Sequence, residues 1–431
     1  MEATIARARL GFTPYQWMVL LAAWLGWGFD VFDGLLFNFV APICVPDLLH
    51  LAPGDPARGP AITLWTGVLT SALLVGWAMG GILFGQATDR LGRTRTLLLT
   101  MLTYSLATAA CAAAPNIWVL AFFRFIASLG IGGEWAAGAA LVAETVPEEK
   151  RVTAGALLYT SAPAGLFLAT YVNDLFTRQL AAIAANPSLS WRLVFLTGLL
   201  PAAVAVAIRL KVKEPERWTS DKSTPRLREL FSPELRSHTL GGLAMAVTAL
   251  VTWWSCNAFL PRVAAYLAAA AGEPGLQTRY ITTGTTAFNL GGLAGTLLTI
   301  PIATYVGRRA MFGLYFLASS GAIWVTFGAP LTTVARLHSM ALLGLTTFGV
   351  LGSFTFYLPE LFPTRLRGAG SGFCYNAGRF VTALFPFAIG ALSHRYPNPL
   401  DVIRWAALAP LAGLLLLLFG VGKETRGRAL T

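Results

Sequence analysis

Twelve stretches of the chain are apolar over lengths that match a bilayer, at about 15–43, 62–87, 96–114, 117–143, 153–177, 191–210, 239–268, 280–306, 310–329, 336–358, 369–392 and 402–421. A helix needs ~20 residues to cross the hydrocarbon core. Inside lipid every backbone N–H and C=O must find a partner within the protein, so only helices and closed barrels can span. The runs lack strand alternation and are too long for strands, so the chain reads as an all-α integral membrane protein with twelve transmembrane helices. Composition agrees. Only 12% of the 431 residues are charged, against ~25% in soluble domains, which is too little to cover a water-facing surface of this size. The 43 glycines are frequent within the runs, as close helix packing in membranes favours. The first run is too long for the core of a signal peptide and reads as a retained helix.

The net charge of +12 would suit a nucleic-acid partner, but its placement argues against one. Of 32 Lys and Arg residues, 22 fall in alternate inter-helix segments and at the two ends if the N-terminus is cytoplasmic. That is the positive-inside pattern. It places both termini in the cytoplasm and the chain in the plasma (inner) membrane as a multi-pass protein. The four cysteines, Cys44, Cys111, Cys256 and Cys374, are far apart and lack metal-ligand spacing. The four histidines lie near loops or helix ends and form no catalytic set. No phosphate-cradling loop or Ser-His-Asp arrangement is present, so no cofactor or metal is expected and the chain is not expected to be an enzyme.

The chain repeats itself. Glu144, Pro147 and Arg151 have the spacing E-x-x-P-x-x-x-R, and Glu360, Pro363 and Arg367 repeat that spacing in the second half. Gly92-Arg93 recurs as Gly307-Arg308, at an offset only one position shorter. Near-equal offsets imply a duplicated six-helix unit, the architecture that supports alternating access. The division expected is an N-terminal bundle over 1–210, a polar, basic linker over 211–238 that carries a short surface helix, and a C-terminal bundle over 239–431.

The loop after the second run reads Gly85-Gln-Ala-Thr-Asp89-Arg90-Leu-Gly92-Arg93. It resembles the G-x-x-x-D-R-x-G-R signature of the major facilitator superfamily. Arg124 with Gly130, Gly132 and Gly133, the run Glu214-Pro-Glu216-Arg217-Trp218, and the ending Glu424-Thr-Arg426-Gly427 resemble further motifs of that superfamily. The resemblance implies the major facilitator fold, two pseudo-symmetric six-helix bundles. It also implies a charge network at the cytoplasmic face made by Gly85, Asp89, Arg90, Gly92, Arg93, Glu144 and Arg151, with Glu360 and Arg367 in the second half. Thr304 stands where the second copy should have its aspartate, so that gate is expected to be weaker. Asp30-Val-Phe-Asp33 and Gly133-Glu134-Trp135 are similar to segments of the aromatic-acid/proton and sialate/lactate-type symporters, although Val31 replaces the glycine of the usual D-G-x-D.

Charges inside the bilayer are costly, at least ~2.5 kcal/mol each on insertion scales, so the few present need a reason. Asp30 and Asp33 lie three apart on one side of the first helix. Two close carboxylates in a low-dielectric site do not readily both ionise, which suits proton coupling. A fixed ion pair with an arginine is the plainer reading. Glu134 is a second candidate for coupling, or a partner for a basic residue. Arg124 and Arg379 present guanidinium forks that match a carboxylate. Either could hold an anionic substrate or merely pair with Asp30, Asp33 or Glu134. Among mid-membrane aromatics (Trp27, Phe37, Trp253, Trp254 and Tyr357 included), Tyr159 and Tyr375 stand out because they occupy matching places in the two copies of the repeat. The expectation is a monomeric secondary transporter that carries a small organic anion together with a proton. A sugar or polyol porter, or an exporter of drugs or metabolites, is the alternative.

Overall fold

The computed structural model describes residues 11–91, 93–146, 150–203, 227–363, 366–392, 395–396 and 398–426, with the side chains of 85–94, 97, 134–141, 143–144, 151–152 and 367–368 left outside. Every described element is helical, and together they form twelve rods that overlap the apolar runs, the end of the sixth run lying outside the described residues: α1 Pro14–Leu48, α2 Arg58–Leu91, α3 Arg93–Cys111, α4 Ile117–Thr145, α5 Arg151–Tyr159 continued by Ser161–Asp174, α6 Pro187–Leu196, α7 Arg236–Asn257 continued by Leu260–Ala270, α8 Gln277–Pro301, α9 Arg308–Gly328, α10 Thr333–Gly352 continued by Phe354–Glu360, α11 Arg367–Leu392, and α12 from Pro399–Ile403 to Leu408–Leu418. Eight of the described spans are long and apolar enough to cross a membrane by length and composition. The face that carries both ends of the bundle is called here the terminal face, and the opposite one the far face. Most of the linker region, 204–226, lies outside the described residues, and a 3-10 turn at Leu227–Phe231 stands where a short helix was expected.

Local signals start these helices. Thr13 closes a capping box with Gln16 ahead of Pro14, so the first turn of α1 has its N–H groups satisfied. At the far face Asn116 caps α4, and Thr332 caps α10 at the equivalent place in the second half; Asn186 before Pro187 caps α6, and Asn398 before Pro399 caps α12.

The packing is duplicated as well. The α2–α4 pair is matched by α8–α10, and α1–α5 by α7–α11. Glycine makes the tight pairs possible. A Cβ on Gly80 would lie 1.9 Å from the carbonyl oxygen of Leu129, and one on Gly295 would lie 1.9 Å from that of Leu345. Only glycine allows backbones this close. The two halves meet through α2 against α11 and α5 against α8. Toward the far face these seams are polar. Thr170 bonds Thr285 at 3.2 Å, Thr282 donates to Asp174 at 2.8 Å, and Arg262 donates to Thr63 at 3.0 Å. Outward-facing Phe122, Leu317 and Leu384 are more than half exposed, as a lipid-facing surface requires.

Candidate functional site

Three helices are interrupted at mid-bundle, α5 at Thr160, α7 around 258–259 and α10 at Ser353. The chain stays hydrogen-bonded through each break, Thr160 N–H to the Ala156 carbonyl, Ala258 N–H to that of Trp254 and Ser353 N–H to that of Val350. Between the halves lies a cavity of about 30 Å³ lined by Trp27, Val31, Gly34, Leu35, Trp77, Tyr159, Trp253, Trp254, Phe348, Tyr375 and Arg379, among others. That is room for ~2 waters. The rings meet edge to face. Trp27 and Tyr159 centroids are 5.1 Å apart, Trp253 and Trp254 4.8 Å, and Trp77 and Trp254 6.0 Å. Tyr159 and Tyr375, equivalent by the internal repeat, share a hydrogen bond across the seam. A repeated residue can meet its counterpart only near the pseudo-two-fold axis, so this contact marks the axis.

The two intramembrane arginines have different environments. Arg124 is engaged on several sides. Its Nη1 lies 3.2 Å from Asp33 Oδ1 and donates to the Asp33 backbone oxygen at 3.0 Å, while Nη2 donates to the Gly34 carbonyl. Thr108 donates to the same Asp33 oxygen. Arg124 is 3% exposed and Asp33 0%. Neither lines the central cavity. Removing one partner from such a buried pair strands the other at ~3–5 kcal/mol.

Arg379 does line the cavity. Its guanidinium lies between the Trp77 ring at 4.2 Å and the Tyr375 ring at 4.6 Å, so a cation is held by π faces from both halves. Nη1 donates to Asn376 Oδ1 at 2.5 Å. Nε is buried with no hydrogen-bond partner among the described residues. Asp30, fully buried on α1, is within Coulombic reach of Arg379. Asp30 and Asp33 therefore answer to different arginines rather than to each other. Three residues of α-helix turn through about 300°, so the two side chains diverge by about 60°, enough to send one toward Arg124 and the other toward Arg379.

Of the mid-membrane aromatics singled out in the sequence, Trp27, Tyr159, Trp253, Trp254 and Tyr375 line the cavity; Phe37 and Tyr357 do not. Tyr357 instead accepts the Lys423 N–H at 3.0 Å near the terminal face. Trp77 and Phe348 were missed, because one aromatic in an apolar run carries no positional signal. The side chains of Gly85, Asp89, Arg90, Gly92, Arg93, Glu134, Glu144, Arg151 and Arg367 lie outside the described residues.

Part of the second-half charge cluster at the terminal face is visible, and Glu360 of the expected network lies in it. Thr304 is exposed and turns its hydroxyl to the Ile300 carbonyl. The acids come from elsewhere. Glu360 takes Arg308 in a two-pronged pair at 2.7 and 3.1 Å, and Glu424 accepts the N–H groups of Arg308 and Arg309 at 3.0 Å each. Carboxylate at a helix N-terminus is favourable. Glu424 lies beyond the last span. Burial alone would raise its carboxyl; the N–H groups of Arg309, Arg426, Arg308 and Thr425 outweigh it and hold the carboxyl below the usual glutamate range.

A lipid-faced bundle of paired six-helix units, with a polar, aromatic cavity on the seam between them, is the build of a membrane transporter for small solutes rather than of an enzyme. The chain matches the Major Facilitator Superfamily over residues 17–386 and belongs to it. It is similar to a sialic acid transporter of Escherichia coli (27% identical; 94% of each chain covered). It is also similar to a cis,cis-muconate transport protein of Acinetobacter baylyi (28%; 83% of this chain, 85% of that one). A gentisate transporter of Corynebacterium glutamicum is 26% identical over 86% of this chain and 81% of its own. Among solved structures, a D-xylose-proton symporter superposes with a TM-score of 0.74 at 18% identity, covering 96% of this chain and 99% of that one; it shares the fold.

Proposed function

We propose that the protein is a proton-coupled symporter of a small organic anion, in which Arg379 receives the substrate carboxylate. The observation that carries this reading is the contrast between the arginines: Arg124 is neutralised by Asp33, while Arg379 keeps an unmatched buried N–H on the cavity wall. A carboxylate satisfies that edge with a charge-assisted bond, and the surrounding rings favour a flat, partly apolar acid. Tyr159 and Tyr375 stand beside it as further polar contacts. The relatives named for sialic acid, muconate and gentisate transport point to the same substrate class.

Proton coupling follows from α1. Protonating Asp33 removes the counter-charge of Arg124, whose other bonds go to the Asp33 and Gly34 carbonyls and the Thr108 hydroxyl. Gly34 and Leu35 line the cavity, so a change in that pair reaches the substrate site through one turn of backbone. Asp30 competes with the substrate for Arg379, which makes its protonation favourable to anion binding. In this reading Glu134 is a further proton-bearing group on α4. The halves, 1–210 and 239–431 joined by 211–238, rock about the cavity, with both ends in the cytoplasm and the protein in the inner membrane. One chain encloses the whole cavity, so a monomer suffices.

The test is uptake by purified protein in liposomes under an imposed pH gradient, against a panel of mono- and dicarboxylates and neutral sugars. Gradient-dependent accumulation of at least one carboxylate is expected. Accumulation of sugars alone would overturn the anion assignment.

A further inference from the structure

On the far-face side of Leu35 lies a second, smaller cavity of about 10 Å³, lined by Asn38, Asn257, Thr285, Phe288 and Asn289 among others. Leu35 lines both cavities, so the two are neighbours across its side chain. The polar lining comes from three helices, α1, α7 and α8, which belong to both halves. Buried amides are normally satisfied, and two of these are not. Asn38, 5% exposed, accepts from Thr70 Oγ1 at 3.3 Å through Oδ1, and its Nδ2 has no partner among the described residues. Asn289, 1% exposed, donates from Nδ2 to Thr170 Oγ1 at 3.4 Å, and its Oδ1 has no partner among the described residues. Two residues that line the same small space therefore each carry an unmatched amide atom, a donor on Asn38 and an acceptor on Asn289.

That pair selects its ligand by chemistry. A hydroxyl accepts from N–H and donates to C=O at once, so it satisfies both amides. A carboxylate has no proton to give Asn289, and an apolar group satisfies neither. Phe288 closes one side, and its ring meets Phe348 of the central cavity at 5.3 Å. A substrate that displaces the Leu35 side chain would extend from Arg379 into this space.

We propose that the amide-lined cavity is a second substrate subsite that takes a hydroxyl group, so that the transported anion is a hydroxy acid held at its carboxylate by Arg379 and at its hydroxyl by Asn38 and Asn289. This rests on the organic-anion reading above and adds the recognition of the opposite end of the molecule.

The test uses the purified full chain in detergent and two matched probe pairs, benzoate with 4-hydroxybenzoate and hexanoate with 6-hydroxyhexanoate, followed by quenching of the cavity tryptophans. The wild type should prefer the hydroxylated member of at least one pair by roughly tenfold or more, because the analogue leaves both amides unmatched. Asn38→Leu and Asn289→Leu should shrink that preference to less than about threefold by weakening binding of the hydroxylated member, and thermal unfolding of each variant reports that it folds. Equal binding of both members by the wild type means that the cavity holds only water and overturns the subsite, whether or not the variants fold. An unchanged preference in both variants does the same. If the wild type binds none of the four acids and accumulates sugars alone in the liposome panel, the anion reading itself falls and the subsite with it; if it binds none of the four yet accumulates another carboxylate, the subsite alone is overturned, so the two failures are distinct.

Discussion

Replacing Arg379 separates its charge from its shape. Arg379→Lys keeps a cation between Trp77 and Tyr375 but loses the planar fork that serves Asn376 and the vacant Nε position together. One charge-assisted bond to the substrate is lost, worth ~1.5–3 kcal/mol, so the dissociation constant for a bound carboxylate should rise roughly 10- to 100-fold. Arg379→Ala removes the charge from a desolvated site. Truncating one side of a buried charged contact costs ~2–5 kcal/mol, or roughly 30- to 5,000-fold in affinity. It also empties the space between two rings now 4.2 and 4.6 Å from the guanidinium, so some loss of thermal stability is expected. Calorimetric titration of the tightest-binding carboxylate of the panel measures the first effect, and thermal unfolding in detergent the second. An alanine variant that binds the acid within about threefold of wild type would refute the placement of the substrate carboxylate at Arg379.

Other expectations follow from the same geometry. A Cβ on Gly132 would sit 1.9 Å from the Trp77 carbonyl, so Gly132→Ala should cost ~1–3 kcal/mol and weaken anion binding by shifting Trp77 off Arg379, whereas Gly372→Ala, which meets open space, should change neither. The carboxyl of Glu424 is held below its ordinary value in the folded chain, so its contribution is present at neutral pH and is lost as pH falls through the acid range; Glu424→Gln should remove that part of the pH dependence of thermal unfolding, and an unchanged profile would rule it out. Asp174 accepts from Arg178, Gln179 and, across the seam, Thr282. Asp174→Asn should therefore loosen the far-face seam and speed labelling of a Thr285→Cys reporter by an impermeant maleimide added at that face; equal rates would dismiss the latch.

The fold was legible because its signals are redundant. Twelve apolar runs, basic clusters at alternate ends and the internal repeat each point to the same duplicated bundle. The repeat even anticipates that Tyr159 and Tyr375 stand in matching places. The candidate site was legible in its charged members, since Asp30, Asp33, Arg124 and Arg379 are conspicuous against an apolar background, and in five aromatics named from the sequence, Trp27, Tyr159, Trp253, Trp254 and Tyr375. The pairing of the charges was not. Spacing places Asp30 and Asp33 on one side of α1, but the angular divergence between them acts only once α4 and α11 have delivered their arginines. Trp77 and Phe348 look like any lipid-span aromatic until the two halves close over them. Asn38 and Asn289 were as visible as the charges, being polar groups within spans, yet a neutral amide stands out less. Thr304 carries no signal for which acids meet Arg308: Glu360, already in the expected network, and Glu424 come from segments far away in the sequence.

The central claim is that carboxylate movement is tied to a proton carried at Asp33. Asp33→Asn keeps a polar group of the same size beside Arg124 and Thr108 and abolishes the titratable one. In liposomes the wild type should accumulate the anion when a pH gradient is imposed and should also exchange labelled for unlabelled anion with no gradient. The Asn variant should keep exchange and lose accumulation. Gradient-driven accumulation by the Asn variant at the wild-type rate would contradict the account.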